Sequence, residues 1–375
     1  MSKNGIETYR HHLLSQGPPM KINRALALSF AAASLGASAQ SSVTLFGVVD
    51  ANVRYVKNSG LSSNYGMSNS GLSSGRLGFR GVEDLGGGLK AGFWLESDVN
   101  ADTGTISSTG KMFQRRSTVS LMGGWGEVRL GRDFAPSSVH SFKYDPFGVI
   151  GIGGQNVTAS SARALANYYR HDNAVGYFTP NFGGVQAEFM FAPDENAANN
   201  VGRHLSGRVS FENGPVSVSV SYGTTNVNVN GTNTGKFKQL GLAGSYNFGV
   251  AQLVASFYRD DLPQGSYVNA GTTYLAGSED RYLIGVNVPV GNDLIRASYV
   301  RTNARKGTTA YNDSDASKLA IGYVHNMSKR TAVYGTIARV SNDGAANFTI
   351  AGGAAAPGGW SGNSTGAEVG IRHSF

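Results

Sequence analysis

The chain has 375 residues, 32 Lys and Arg against 24 Asp and Glu, 52 glycines and no cysteine. The missing cysteines exclude a disulfide scaffold, a thiolate metal site and a cysteine nucleophile together. The basic residues stand singly, with no run or stripe to follow a phosphate backbone, and this excludes nucleic acid as a partner.

Residues 1–19 are polar and carry no targeting pattern, so they read as a mis-assigned extension upstream of Met20. Residues 20–39 read as a secretory signal peptide. Lys21 and Arg24 form its positive region, Ala25 to Leu35 its apolar core and Ala37-Ser38-Ala39 its cleavage signal. That core is too short to cross a bilayer as a helix. Removing residues 1–39 takes four of the 32 basic and one of the 24 acidic residues, leaving a charge of +5.

From Gln40 onward the pattern has period 2, the period of a strand with one apolar face. In the first segment Val43, Leu45, Val49, Ala51 and Val53 alternate with Thr44, Asp50, Asn52 and Arg54. A polar stretch near 58–70 reads as a loop. In SGRLGFRGVEDL, which follows it, Leu77 and Phe79 take the apolar parity and Arg76, Gly78 and Arg80 the other. Arg115 stands at the start of the fourth strand, where the neighbouring Arg116 leaves its parity open. The longest connection runs from Phe134 to His171 and contains YDPFGVIGIGG; Arg170 stands at its end. Its only acidic residue is Asp145, against Lys143, Arg163 and Arg170.

Further on, Val216, Val218, Val220 and Tyr222 alternate with Ser217, Ser219 and Ser221. Aromatic residues gather near strand ends, as at Tyr55, Tyr222, Phe248, Phe257 and Tyr299. The final segment, GAEVGIRHSF, places Ala367, Val369, Ile371 and Phe375 on one face. Helical periodicity is not visible beyond the leader.

Two kinds of connection take turns along this chain. Tight Gly- and Asn-rich turns at 84–88, 123–126, 181–184, 213–215, 247–250, 290–293 and 326–330 suit the positive φ of hairpins. Long polar stretches near 58–70, 100–111, 134–171, 193–201, 225–236, 261–278, 304–316 and 342–363 separate them. Together they predict an all-β fold, a transmembrane antiparallel β-barrel of about 16 strands. A soluble β-sandwich shows the same alternation, but sandwiches rarely reach this number of similar strands in one domain.

The segments SSVTLFGVVDANVRYV, SGRLGFRGVEDLGGGLKAGFWLES and RLGRDF, with the ending VGIRHSF, resemble the general porins of Gram-negative bacteria, of beta-proteobacterial type. The resemblance covers residues 40–375. It implies a homotrimer of barrels in the outer membrane, with the third long loop, 134–171, folded into the lumen as a constriction. It also implies contact with outer-membrane lipids, lipopolysaccharide and the barrel-assembly machinery, and passive diffusion of small hydrophilic solutes.

By the same resemblance, Arg76, Arg115 and Arg170 match the stacked basic cluster of porin constrictions. Arg80, nearer a tight turn, is secondary, and Lys143, Asp145 and Glu96 complete the candidate pore-lining charges. Phe375 is the candidate assembly signal. The shortage of acid in the loop predicts an anion preference. Neither a cofactor nor a metal is expected. His140, His171, His204, His325 and His373 lie on separate segments without ligand spacing, and no nucleophile and base are paired, so the chain does not read as an enzyme. The alternative function is a solute-specific channel; an adhesive role of the external loops stays open.

Overall fold

A computed structural model describes residues 42–106, 110–155, 169–194, 200–229, 233–262, 267–269, 272–274, 277–305, 314–344, 346–357 and 360–375. The expected extension, signal peptide and cleavage site lie outside these residues, as does loop segment 156–168.

The first strands are β1 (Ser42–Asn58), β2 (Ser63–Asn69), β3 (Arg76–Gly86), β4 (Leu89–Asp98), β5 (Arg116–Gly123) and β6 (Gly126–Phe134). Helix α1 (Pro136–Lys143) follows, then β7 (Arg170–Phe178), β8 (Val185–Ala192), β9 (His204–Asn213), β10 (Val216–Val229) and β11 (Asn233–Asn247). The chain continues through β12 (Gln252–Leu262), the short pair β13 (Tyr267–Asn269) and β14 (Thr272–Tyr274), and β15 (Gly277–Val290). It ends with β16 (Asp293–Arg305), β17 (Ser314–Asn326), β18 (Thr331–Gly344) and β19 (Ser364–Ser374).

All pairings are antiparallel, with β13 and β14 forming a separate two-stranded sheet, and β1 pairs with β19 from Val48↔Ser374 to Asn58↔Ser364, closing the main sheet. The seam is completed by two backbone bonds of 3.1 Å between Gly47 and Phe375. The Phe375 ring occupies the space a Cβ on Gly47 would need. Closure leaves no exposed edge along this seam.

Seventeen strands belong to this sheet, yet it has sixteen staves. β2 pairs with residues 51–57 of β1 and β3 with residues 42–48, so β2 and β3 are two pieces of one stave. This corrects the expectation of a loop over 58–70. The polar sequence SNYGMSN forms a strand because β1 supplies its ladder partners. A second departure is α1, whose eight residues are too few to display a helical period. Pro136 opens it, and Lys143 lies in its last turn, where a cation complements the helix dipole.

The alternation is inside-out relative to a water-soluble protein. On β10, Val218, Val220 and Tyr222 are about half exposed while Ser219 and Ser221 are buried. On β19, Val369 and Ile371 are exposed and Glu368 is buried. Apolar side chains thus cover the outside of a closed sheet, an arrangement that water disfavours and a bilayer favours.

The polar face is covered in part by residues 136–155. His140 Nδ1 lies 3.0 Å from Ser219 Oγ, and the Tyr144 hydroxyl 2.8 Å from Ser217 Oγ. Phe147 and Ile152 join a buried cluster with Val254, Leu283 and Val300.

Candidate functional site

Arg76 opens β3, Arg115 stands one residue before β5, and Arg170 opens β7, so three strand starts bring three guanidinium groups to one level. Arg115 is buried; its Nε donates to Glu96 Oε1 at 2.5 Å and its Nη1 to Asp98 Oδ1 at 2.7 Å. Arg76 Nη1 lies 3.8 Å from the same Glu96 oxygen. Trp94 Nε1 donates to Glu96 Oε2 at 3.0 Å, so the buried carboxylate has a charged and a neutral donor. Such pairing is what makes a buried carboxylate tolerable. Arg170 Nε donates to the Arg115 carbonyl at 2.9 Å, and its guanidinium lies 3.8 Å from the centre of the Phe134 ring.

All three arginines line a cavity of about 430 Å³, bordered also by Ser73, Ser74, the aromatic Phe142 and Tyr169, and the chain at Gly148–Ile150. Three guanidinium groups face two carboxylates, Glu96 and Asp98. The excess is one positive charge.

The segment that borders this cavity is fastened elsewhere through its backbone. Asp145 is buried and accepts the N–H groups of Phe147, Val149 and Gln155 at 2.9, 2.9 and 2.7 Å. Lys318 Nζ donates to the Gly154 carbonyl at 2.6 Å. Ile152 N–H donates to Glu368 Oε1 at 3.2 Å, and Arg54 holds the other oxygen of Glu368 at 2.8 Å. Arg296 lies 4.4 Å above the Phe147 ring. In α1, Ser137 Oγ donates to Gln239 Oε1 at 3.3 Å. Burial, with Arg208 and Lys143 nearby, pushes the His140 imidazole down to about 3, so it is neutral at ordinary pH.

Of the candidate charges, Arg76, Arg115 and Arg170 share the cavity and Glu96 anchors two of them. Arg80 lies apart, with its guanidinium 5.3 Å from the Phe46 ring and 5.1 Å from the Trp94 ring. Lys143 pairs with Glu212. Asp145 binds its own loop backbone and does not border the cavity. Arg116, the neighbour that left the parity of Arg115 open, is the first residue of β5 and lies 4.5 Å over Trp94.

Asp98, Ser73, Ser74, Lys318 and Glu368 escaped the sequence reading. Their partners are 16 to 314 residues away in the chain or are backbone atoms, and neither leaves a local motif. The three tryptophans are separated: Trp94 beside Arg116, Trp125 in a tight turn, and Trp360 donating to the Ser59 carbonyl.

The family described as Gram-negative porin matches residues 25–345. Outer membrane porin protein 32 of Delftia acidovorans is 43% identical over 361 residues, covering 93% of this chain and 99% of its own. An outer membrane porin of Bordetella pertussis is 30% identical, over 94% of this chain and 98% of its own. Among solved structures, the anion-selective porin from Comamonas acidovorans superposes with a TM-score of 0.76 at 40% identity, covering 89% of this chain and all of that one.

Proposed function

The chain belongs to the Gram-negative porin family and resides in the outer membrane, and from that premise we propose that its channel narrows at the cavity lined by Arg76, Arg115 and Arg170. Residues 134–155 fold into the lumen and, with their latch on Lys318 and Glu368, leave the arginine wall as the open side of the passage. Small hydrophilic solutes and ions diffuse through passively, and anions are preferred. The observation that carries this preference is the position of Asp145. The one acidic residue of the long loop is spent on backbone N–H groups, so no loop carboxylate opposes the arginines. A net positive, partly desolvated passage lowers the barrier for anions and raises it for cations. The anion selectivity of the Comamonas porin supports the same reading.

Reversal potentials in a planar bilayer under a KCl gradient test it. Chloride-directed potentials are expected, and replacing Arg76 and Arg170 by glutamine lowers the chloride preference severalfold, by roughly the factor one or two partly screened charges supply. A potassium-directed potential in the unmodified channel overturns the reading.

The barrel acts as a homotrimer surrounded by outer-membrane lipids and lipopolysaccharide. The ring of Phe375 seals the seam beside Gly47 and serves the barrel-assembly machinery as a recognition element. Replacing Phe375 by alanine reduces trimer yield while leaving the conductance of the surviving channels unchanged; normal yield would reduce the ring to seam packing.

A further inference from the structure

The stave formed by β2 and β3 is interrupted at Ser70–Gly75, at the level of the arginine cavity, and a single carboxylate organises the interruption. Asp50, on β1, is fully buried. Its Oδ1 accepts the Gly71 N–H at 3.1 Å and the Tyr334 hydroxyl at 2.5 Å; its Oδ2 accepts the N–H groups of Leu72 and Ser73 at 2.9 and 2.7 Å. Successive N–H groups converging on one anion form a nest, here filled by a side chain of the protein itself. A buried carboxylate with four donors is a fixed point, because removing the anion leaves those donors without an acceptor.

The rest of the break is equally constrained. Ser70 adopts a positive φ of 59°, and its Oγ accepts the Gly75 N–H at 3.1 Å. Leu72 packs against Val324, Ala332 and Tyr334 on the polar face of β17 and β18. Backbone approaches are close on both sides: a Cβ on Gly71 would fall 2.3 Å from the Tyr334 hydroxyl oxygen, and one on Gly151 of the long loop 2.4 Å from the Gly71 carbonyl. The break therefore meets the loop directly. Immediately after Leu72, Ser73 and Ser74 border the arginine cavity, and Arg76 follows as the first residue of β3.

We propose that Asp50 is a positioning residue for ion selectivity: it holds the Ser70–Gly75 break inward so that Ser73 and Ser74 form a second, hydroxyl-bearing wall of the constriction and Arg76 is held at the mouth of the cavity. This rests on the reading that the arginine cavity is the passage. The two hydroxyls offer neutral donors to an anion and narrow the aperture, while the charge that orders them stays buried.

The chain's freedom from cysteine makes the test selective. In Ser73→Cys channels a negatively charged methanethiosulfonate reagent is expected to reduce the current. Adding Asp50→Asn places an amide N–H₂ against backbone donors, which releases the break. The chloride-to-potassium permeability ratio then falls about twofold or more, conductance rises, and the thiol reacts at a changed rate. Heat-modifiable electrophoretic mobility confirms that each barrel is folded. If Asp50→Asn does not fold, Tyr334→Phe takes its place; it keeps the ring and removes one donor, and a smaller shift of the same sign is expected.

Insensitivity of Ser73→Cys to the reagent overturns the proposal. So does an unchanged permeability ratio and reaction rate in whichever of Asp50→Asn or Tyr334→Phe folds. Arg76→Gln separates this from the underlying reading: if it too leaves selectivity unmoved, the cavity is not the passage, whereas a shift with Arg76→Gln alone removes only the role of Asp50.

Discussion

From β3 to β7, Arg76, Arg115 and Arg170 border an open cavity; from β15 to β19, Arg296 and Lys318 lie beneath residues 145–155 and are buried. Both walls present basic side chains on the polar face of one sheet. What differs is the cover. On one wall Arg76 and Arg115 meet carboxylates of β4, Arg170 rests on a carbonyl and the Phe134 ring, and the three keep a margin of positive charge toward the cavity. On the other, Lys318 is spent on a loop carbonyl and Arg296 on an aromatic ring. Counting inward-facing cations therefore overstates the charge an ion meets, and the route of the loop decides which of them matter.

The largest break in this comparison comes from Arg115→Leu, which leaves Glu96 and Asp98 without their buried partner. A loss of about 3–5 kcal/mol is expected for an uncompensated buried charge, read as a lower unfolding midpoint of the extracted barrel. Adding Glu96→Gln recovers part of the loss; no recovery would mean that Arg115 acts through packing alone. On the covered wall, Lys318→Met removes a charged hydrogen bond worth about 1.5–3 kcal/mol. The loop then leaves its seat intermittently, and single-channel records show added current fluctuation that Arg76→Gln does not produce.

Acid sharpens the contrast next. The folded-state pKa of His140 lies below its unfolded value, so the seated helix binds fewer protons than a released one. Its stability is whole above the ordinary histidine pKa and declines as pH falls toward about 3. By about pH 5.5 the seat of α1 weakens by roughly 1.4 kcal/mol, one pKa unit's worth. Fluctuations should rise on acidification, and His140→Asn should abolish that rise. The smallest effect belongs to Lys143→Ala. Its pair with Glu212 is solvent-exposed, worth about 0–1 kcal/mol, and neither unfolding midpoint nor selectivity should move.

The staves were legible in the sequence because lipid outside and polar groups inside impose a strict period of 2, as at Val216–Tyr222, and because hairpins need turn residues such as those at 84–88 and 290–293. The grouping of Arg76, Arg115 and Arg170 was legible through resemblance. The break at Ser70–Gly75 was not, since SGLSSG falls between the stretch read as a loop, 58–70, and the strand segment SGRLGFRGVEDL, and no local pattern marks it as crossing the barrel. Asp50 reads as one more polar position of β1; its distinction lies in donors 21 to 284 residues away. Strand β2 was missed for a related reason: its ladder is lent by β1, and its own composition is that of a connection.

The contacts that seat residues 147–155 through Lys318, Glu368 and Asp145 share a property with a consequence for how such channels diversify. Lys318 grips the Gly154 carbonyl, Glu368 the Ile152 N–H, and Asp145 three further N–H groups. These fastenings read main-chain atoms, which every residue type but proline carries. The side chains of Val149 and Ile150, which border the cavity, take no part in these fastenings. On the proposed reading of the cavity as the passage, exchange at Ile150 retunes which solutes enter the cell without removing a contact that seats the loop, so permeability can drift while the scaffold stands still.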